Sequence, residues 1–218
     1  IRENFRSVGR GLLETARRPG AARAVLSASS FGGFYKGGKD YLQPMISALA
    51  LSIPVAQSLS AQGREALLIG LAYTVIYLLT SFASRWSATL AKRFPSPESA
   101  LNWLLVIGLG LGLLAGLGRW REWTLLPVAL FLTIFVLQNL RQPVGVSVVA
   151  DRIPEEVLAT ILSAQSQLQS LFAAVVAFFV GATADYIGGN VGLGLMLSAG
   201  LGVLLFPLLR VVPGKTTR

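Results

Sequence analysis

Apolar runs, each near the length of a bilayer crossing and most closed by a short polar or charged turn, fill almost the whole chain. Covering about 30 Å of hydrocarbon takes about 20 apolar residues at a rise of about 1.5 Å each, so the pattern predicts about six helical spans with short connections. The first starts near Arg23 and continues to about Pro44. Residues 45 to 62 are apolar but hold Pro54 and several serines, and read as the end of that helix followed by an interfacial turn. Further spans cover about residues 66 to 82, 100 to 117, 124 to 149, 158 to 183 and 191 to 209. Two starts carry explicit chemistry. Ser96, Pro97 and Glu98 supply a cap, a proline for the first turn and an acid for the positive end of the helix dipole, and Pro154, Glu155 and Glu156 repeat the last two. The charged and aromatic turn from Arg119 to Trp123 suits a headgroup interface.

Composition strengthens the membrane reading. The chain is 53% hydrophobic and only 13% charged, with a mean hydropathy of +0.63, and its chief partner is a lipid bilayer. The net charge of +9 raises the question of nucleic acid. Position answers it: Arg2, Arg6, Arg10, Arg17, Arg18 and Arg23 precede the first span, Arg85, Lys92 and Arg93 share one loop, and Arg210, Lys215 and Arg218 close the chain. This is the positive-inside distribution, not a nucleic-acid footprint. An even number of spans puts both ends on one side, expected to be the cytoplasmic side of a bacterial inner membrane. Residues 1 to 20 read as an amphipathic cytoplasmic linker, 21 to 210 as a transmembrane domain and 211 to 218 as a basic tail. The chain opens on Ile without a signal-peptide run and reads as a piece of a longer protein.

With no Cys and no His, the chain lacks thiolate chemistry, imidazole bases and the usual zinc sites. No enzyme activity, cofactor or metal is expected. Gly108, Gly112 and Gly116 recur at four-residue intervals in the third span, with Gly110 and Gly118 beside them. Inside an apolar run with no preceding strand they do not make a nucleotide loop; they predict close helix packing, as do Gly192, Gly194, Gly200 and Gly202.

Against this background two polar groups stand out. Lys36, Lys39, Asp40 and Gln43 follow helical spacing, which puts them on one face. Either Lys36 and Asp40 neutralise each other as a structural pair, or the face lines a water-filled path. In the fourth span Gln138, Asn139, Arg141 and Gln142 form a second group before Pro143. Either Arg141 snorkels to the cytoplasmic surface, or the amides around it line a cavity. The groups lie at similar distances into spans one and four, each ending at a proline, as in two inverted three-helix repeats around a transport path. Asp40 is the carboxylate expected within a span and the candidate for proton coupling; the cations favour an anionic small-molecule substrate. In span five, Ser163, Ser166, Gln167 and Ser170 share a face, read first as helix packing. The rival reading is a stand-alone six-helix scaffold or assembly factor whose charges pair internally.

The run Phe-Tyr-Lys-Gly-Gly-Lys-Asp-Tyr-Leu-Gln-Pro at 34 to 44, Gln-Asn-Leu-Arg-Gln-Pro at 138 to 143 and Asp-Arg-Ile-Pro-Glu-Glu at 151 to 156 together resemble the C-terminal half of a major facilitator superfamily transporter. Ser-Ala-Gln-Ser-Gln at 163 to 167 and Gly-Ala-Thr-Ala-Asp-Tyr-Ile-Gly at 181 to 188 add to the likeness. The resemblance implies an all-α fold of six transmembrane helices as two inverted repeats, a missing N-terminal six-helix half, and spans one and four lining a central cavity. The loop from Ser84 departs from the family's Gly-x-x-x-Asp-Arg-x-Gly motif.

Overall fold

A computed structural model describes residues 19 to 52, 58 to 186 and 188 to 212. Residues 1 to 18 of the predicted linker and most of the predicted tail lie outside these, and the last two linker residues, Pro19 and Gly20, begin the first helix. The described residues form helices and turns, with no strand. In order they are α1 (Pro19–Lys39), α2 (Leu42–Ser52), α3 (Ala61–Ala91), α4 (Pro97–Trp120), α5 (Leu125–Ala150), α6 (Glu155–Tyr186), α7 (Gly192–Leu204) and α8 (Phe206–Leu209). By length and composition α3, α4, α5 and α6 are able to cross a membrane. Leu71, Leu78 and Phe82 of α3, Trp103 and Leu114 of α4, Leu171 and Phe178 of α6 and Leu204 of α7 all point outward. An apolar exterior of this kind belongs in lipid.

Local chemistry explains the helix ends. Ser96 caps α4, its hydroxyl accepting from the Ser99 amide at 3.2 Å, with Pro97 in the first turn and Glu98 beside it. Ser60 caps α3 by accepting from Gly63 at 3.1 Å. That cap moves the start of α3 back from residue 66 to 61, and the helix runs on to Ala91, so Arg85 lies on helix rather than in a loop. Two further expectations change. The first span breaks after Lys39, and Pro44 falls in the first turn of α2, where its missing N–H costs nothing, so it opens a helix instead of closing one. The predicted sixth span breaks at Leu205, before Pro207 in the first turn of α8.

The helices interlock in a fixed set of neighbours. The helix α1 packs on α6 and α5, α5 on α3 and α4, and α7 on α4 and α6. Phe31, Phe34, Leu105, Leu109, Phe131, Ile134 and Leu195 form the centre of the core. Glycines set the closest approaches. Gly33 and Gly37 of α1 lie against Gln169, Phe172, Ala173 and Val176 of α6, and a Cβ at Gly37 would stand 2.9 Å from the Ala173 carbonyl oxygen. Gly108 and Gly112 of α4 lie under the rings of Phe31 and Phe34, while Gly116 meets the backbone of α7 at Gly192 and Met196. Gly110 faces open space. In hydrocarbon, where apolar contact with lipid is as good as with a neighbour, such fits carry much of the specificity.

At one end of the bundle Arg152 gathers three segments. Its Nη2 donates to Glu98 Oε1 at 2.8 Å and to the Val212 carbonyl at 3.0 Å, and Nη1 donates to the Gly20 carbonyl at 3.3 Å. Close by, Asn102 holds Val211 through both its backbone groups at 2.8 Å. Arg152→Ala is expected to cost about 2 kcal/mol, seen as a lower thermal midpoint in detergent and faster proteolysis near residue 212. Equal midpoints and cleavage rates would show the contacts to be idle.

Candidate functional site

The break between α1 and α2 opens a polar concavity. Asp40 and Tyr41 form the turn, with the Tyr41 amide donating to the Gly38 carbonyl at 3.1 Å. Beneath it lies a cleft of about 380 Å³. From α1 and the turn come Tyr35, Lys39 and Asp40; from α3 come Tyr73, Ile76, Tyr77 and Thr80; from α5 come Phe135 and Asn139. The α3 contributors fall at i, i+3, i+4 and i+7, one face of the helix. Ile76 and Phe135 are buried and make an apolar floor, and Tyr35 meets Phe135 edge to face with ring centres 4.8 Å apart. Tyr73 and Tyr77 lie with ring centres 6.2 Å apart. Thr80 is buried, its hydroxyl donating to the Tyr77 carbonyl at 3.2 Å.

The four polar residues of the first group do not stay together. Lys39 ends α1, Asp40 sits in the turn and Gln43 opens α2, so the single face expected from their spacing is split. Lys39, Asp40 and Gln43 are exposed. Lys36 does not pair with Asp40: its Nζ donates to Ser170 Oγ at 3.4 Å across the α1–α6 seam. The two glycines at 37 and 38, weak helix formers just before the turn, help to explain why the helix stops.

The second group divides as well. Asn139 lines the cleft, while its Nδ2 donates to the Phe135 carbonyl at 2.9 Å. Gln142 is exposed, and Gln138 is buried with Oε1 lacking a partner among the described residues. Arg141 goes to neither lipid surface nor cleft. Only 2% exposed, it donates from Nη2 to the Ser27 hydroxyl at 2.8 Å and the Ser27 carbonyl at 3.0 Å, and from Nε to the Leu101 carbonyl at 3.4 Å. The Phe31 ring lies 5.1 Å from its guanidinium carbon, a cation–π distance. The snorkelling alternative therefore fails, and so does a cavity around Arg141 shared with Asn139 and Gln142. Pro143 sits inside an unbroken α5, where it removes the hydrogen bond that the Asn139 carbonyl would otherwise accept.

On α6 the serine face, Ser163, Ser166, Gln167 and Ser170, is exposed, while Gln165 is buried and Gln169 lies against Gly32 and Gly33. Packing thus uses the neighbouring glutamine face. Ser27 and Ser29, both fully buried, are further polar residues of the interior; Ser29 donates to the Gln165 carbonyl at 3.2 Å. No group of three or more His, Cys, Asp or Glu able to hold a metal occurs among the described residues.

In comparison with known proteins, the chain matches no family model, no curated protein and no solved structure.

Proposed function

We propose that the chain is the C-terminal six-helix half of a secondary transporter of the major facilitator kind, moving a small solute across a bacterial inner membrane by alternating access, with both ends cytoplasmic. The observation that carries this reading is the polar cleft. At the end of α1, where α3 and α5 converge, Lys39, Asp40 and Asn139 surround a space that hydrocarbon would not fill favourably.

Helix pairing supports it. Taking α1, α3 and α4 as one unit and α5, α6 and α7 with α8 as the other, the first helix of each packs on the second helix of the opposite unit. The two first helices also touch, as do the two third helices α4 and α7. These pairs suit a two-fold relation between repeats, while α4 on α5 and α6 on α7 have no equally close counterparts. The side-by-side series α3, α5, α1, α6 also carries exposed polar residues, Gln142, Ser163, Ser166, Gln167 and Ser170, which suit a watery path or a facing half better than lipid. The scaffold reading draws on the internal placement of Arg141, a charge held wholly by its own bundle.

Asp40 is the proton-linked carboxylate in this reading. Full-length protein in proteoliposomes, offered a panel of small solutes under an inward proton gradient, should accumulate one class. Asp40→Asn should reduce gradient-driven accumulation about tenfold or more while exchange at saturating solute persists. Unchanged accumulation in the variant removes Asp40 from coupling, and flux of no solute favours the scaffold.

A further inference from the structure

The charge inside the cleft differs from the charge of the polar groups as a whole. Two of the three cations that favour an anionic substrate are engaged elsewhere, Lys36 on Ser170 and Arg141 on Ser27. What faces the cleft is one cation and one anion, Lys39 and Asp40, adjacent in the chain and both exposed. Around them stand the phenols of Tyr35, Tyr73 and Tyr77, and the Asn139 amide.

Resting on the transporter reading, we infer that this cleft binds a small zwitterion with an apolar or aromatic side chain, of the amino-acid class. A carboxylate is met by the Lys39 ammonium, and an amino group by the Asp40 carboxylate and the tyrosine faces, whose negative ring potential attracts cations. The side chain rests on Ile76 and Phe135. A lone anion would face Asp40 uncompensated, and a lone cation would face Lys39; a ligand bearing both charges satisfies both, which makes the pair a device for rejecting each half-charged analogue. The volume of about 380 Å³ lies at the low end for small-molecule sites and matches a single residue better than a long peptide.

Three probes of one shape separate the cases: phenylalanine, N-acetylphenylalanine, which keeps only the negative charge, and phenylalaninamide, which keeps only the positive one. Calorimetry on purified full-length protein should show phenylalanine binding about tenfold or more tightly than either analogue. In Lys39→Met the preference over the amide should vanish, and in Asp40→Asn the preference over the N-acetyl compound should vanish. Both positions are exposed, and size-exclusion profiles of the variants check that they fold. Tighter binding of either analogue, or binding of none of the three, overturns the inference. Phenylalanine that binds with this pattern but never crosses proteoliposomes upholds the cleft and refutes the transporter. Transport of another solute, with phenylalanine neither bound nor competing, upholds the transporter and refutes the cleft.

Discussion

Gly116→Ala is expected to destabilise the bundle by about 1–3 kcal/mol, and Gly116→Leu to leave little folded protein. At Gly116 an added Cβ would lie 2.6 Å from the Met196 nitrogen, 2.8 Å from the Gly192 carbonyl oxygen and 2.9 Å from the Met196 Cα. These are backbone atoms, so no rotamer change relieves the overlap and the two helices must separate. The contact is also reciprocal: a Cβ at Gly192 would run into the Trp120 nitrogen and stand 2.6 Å from the Gly116 carbonyl oxygen. Asn190, whose Nδ2 donates to the Trp120 carbonyl at 3.3 Å while its Oδ1 accepts from Gly192 at 2.9 Å, fixes the start of α7 at this crossing. Gly110→Ala is the matched control, because nothing lies within 4 Å of a Cβ there and alanine is the better helix former by about 1 kcal/mol. Thermal unfolding in detergent should drop for position 116 and hold or rise for position 110. Equal shifts would mean that helix propensity, not the α4–α7 crossing, governs stability.

Arg141→Met is expected to keep or raise the thermal midpoint while lowering solute flux about tenfold or more. A guanidinium buried without a carboxylate loses several kcal/mol of hydration. Its bonds to Ser27 and Leu101 and the Phe31 ring offset that loss, and exchange of a desolvated buried charge for an apolar side chain of similar size is often neutral or stabilising. Methionine of similar length removes the desolvated charge and leaves behind Ser27, whose hydroxyl is able to turn to a neighbouring helix carbonyl. Arg141 touches α1 and α4 at once, and under the transporter proposal it acts at the α1–α5 seam, which would shift as the cleft opens and closes. Loss of both stability and flux would instead assign Arg141 to the framework alone. An unchanged flux would remove it from transport.

Helical content and the membrane setting were legible because they depend on sums over many residues. A run of 18 or more apolar residues has one way to satisfy its backbone in lipid, whatever its neighbours are. The cap of α4 was legible for the same local reason, Ser96 with Pro97 and Glu98 beginning the helix where the pattern places it, whereas the Ser60 cap of α3 was not. The site was legible in part. Helical spacing places Lys36, Lys39, Asp40 and Gln43 on one face, but spacing presumes an unbroken helix, and the turn at Asp40 and Tyr41 breaks it. Tyr73, Tyr77 and Thr80 carried a usable signal in their i, i+4 and i+7 spacing, yet tyrosine and threonine are ordinary in membrane helices, and nothing marked that face as concave until α1 and α5 stood opposite it. Gly33 and Gly37 share the four-residue spacing of the α4 glycines, but a single interval is a weak signal, and Phe172 and Val176 of α6 are what make it a packing seam.

By itself the sequence determined that this chain is a set of apolar helices with basic ends, and it named the polar residues that such a chain must place with care. Tertiary structure decided which of them meet. A charged side chain of several rotatable bonds reaches lipid surface, neighbouring helix or cleft from one backbone position, and the choice depends on acceptors contributed by distant segments: Ser170 for Lys36, Ser27 and Leu101 for Arg141, and none of these for Lys39, which is left beside Asp40 in the cleft.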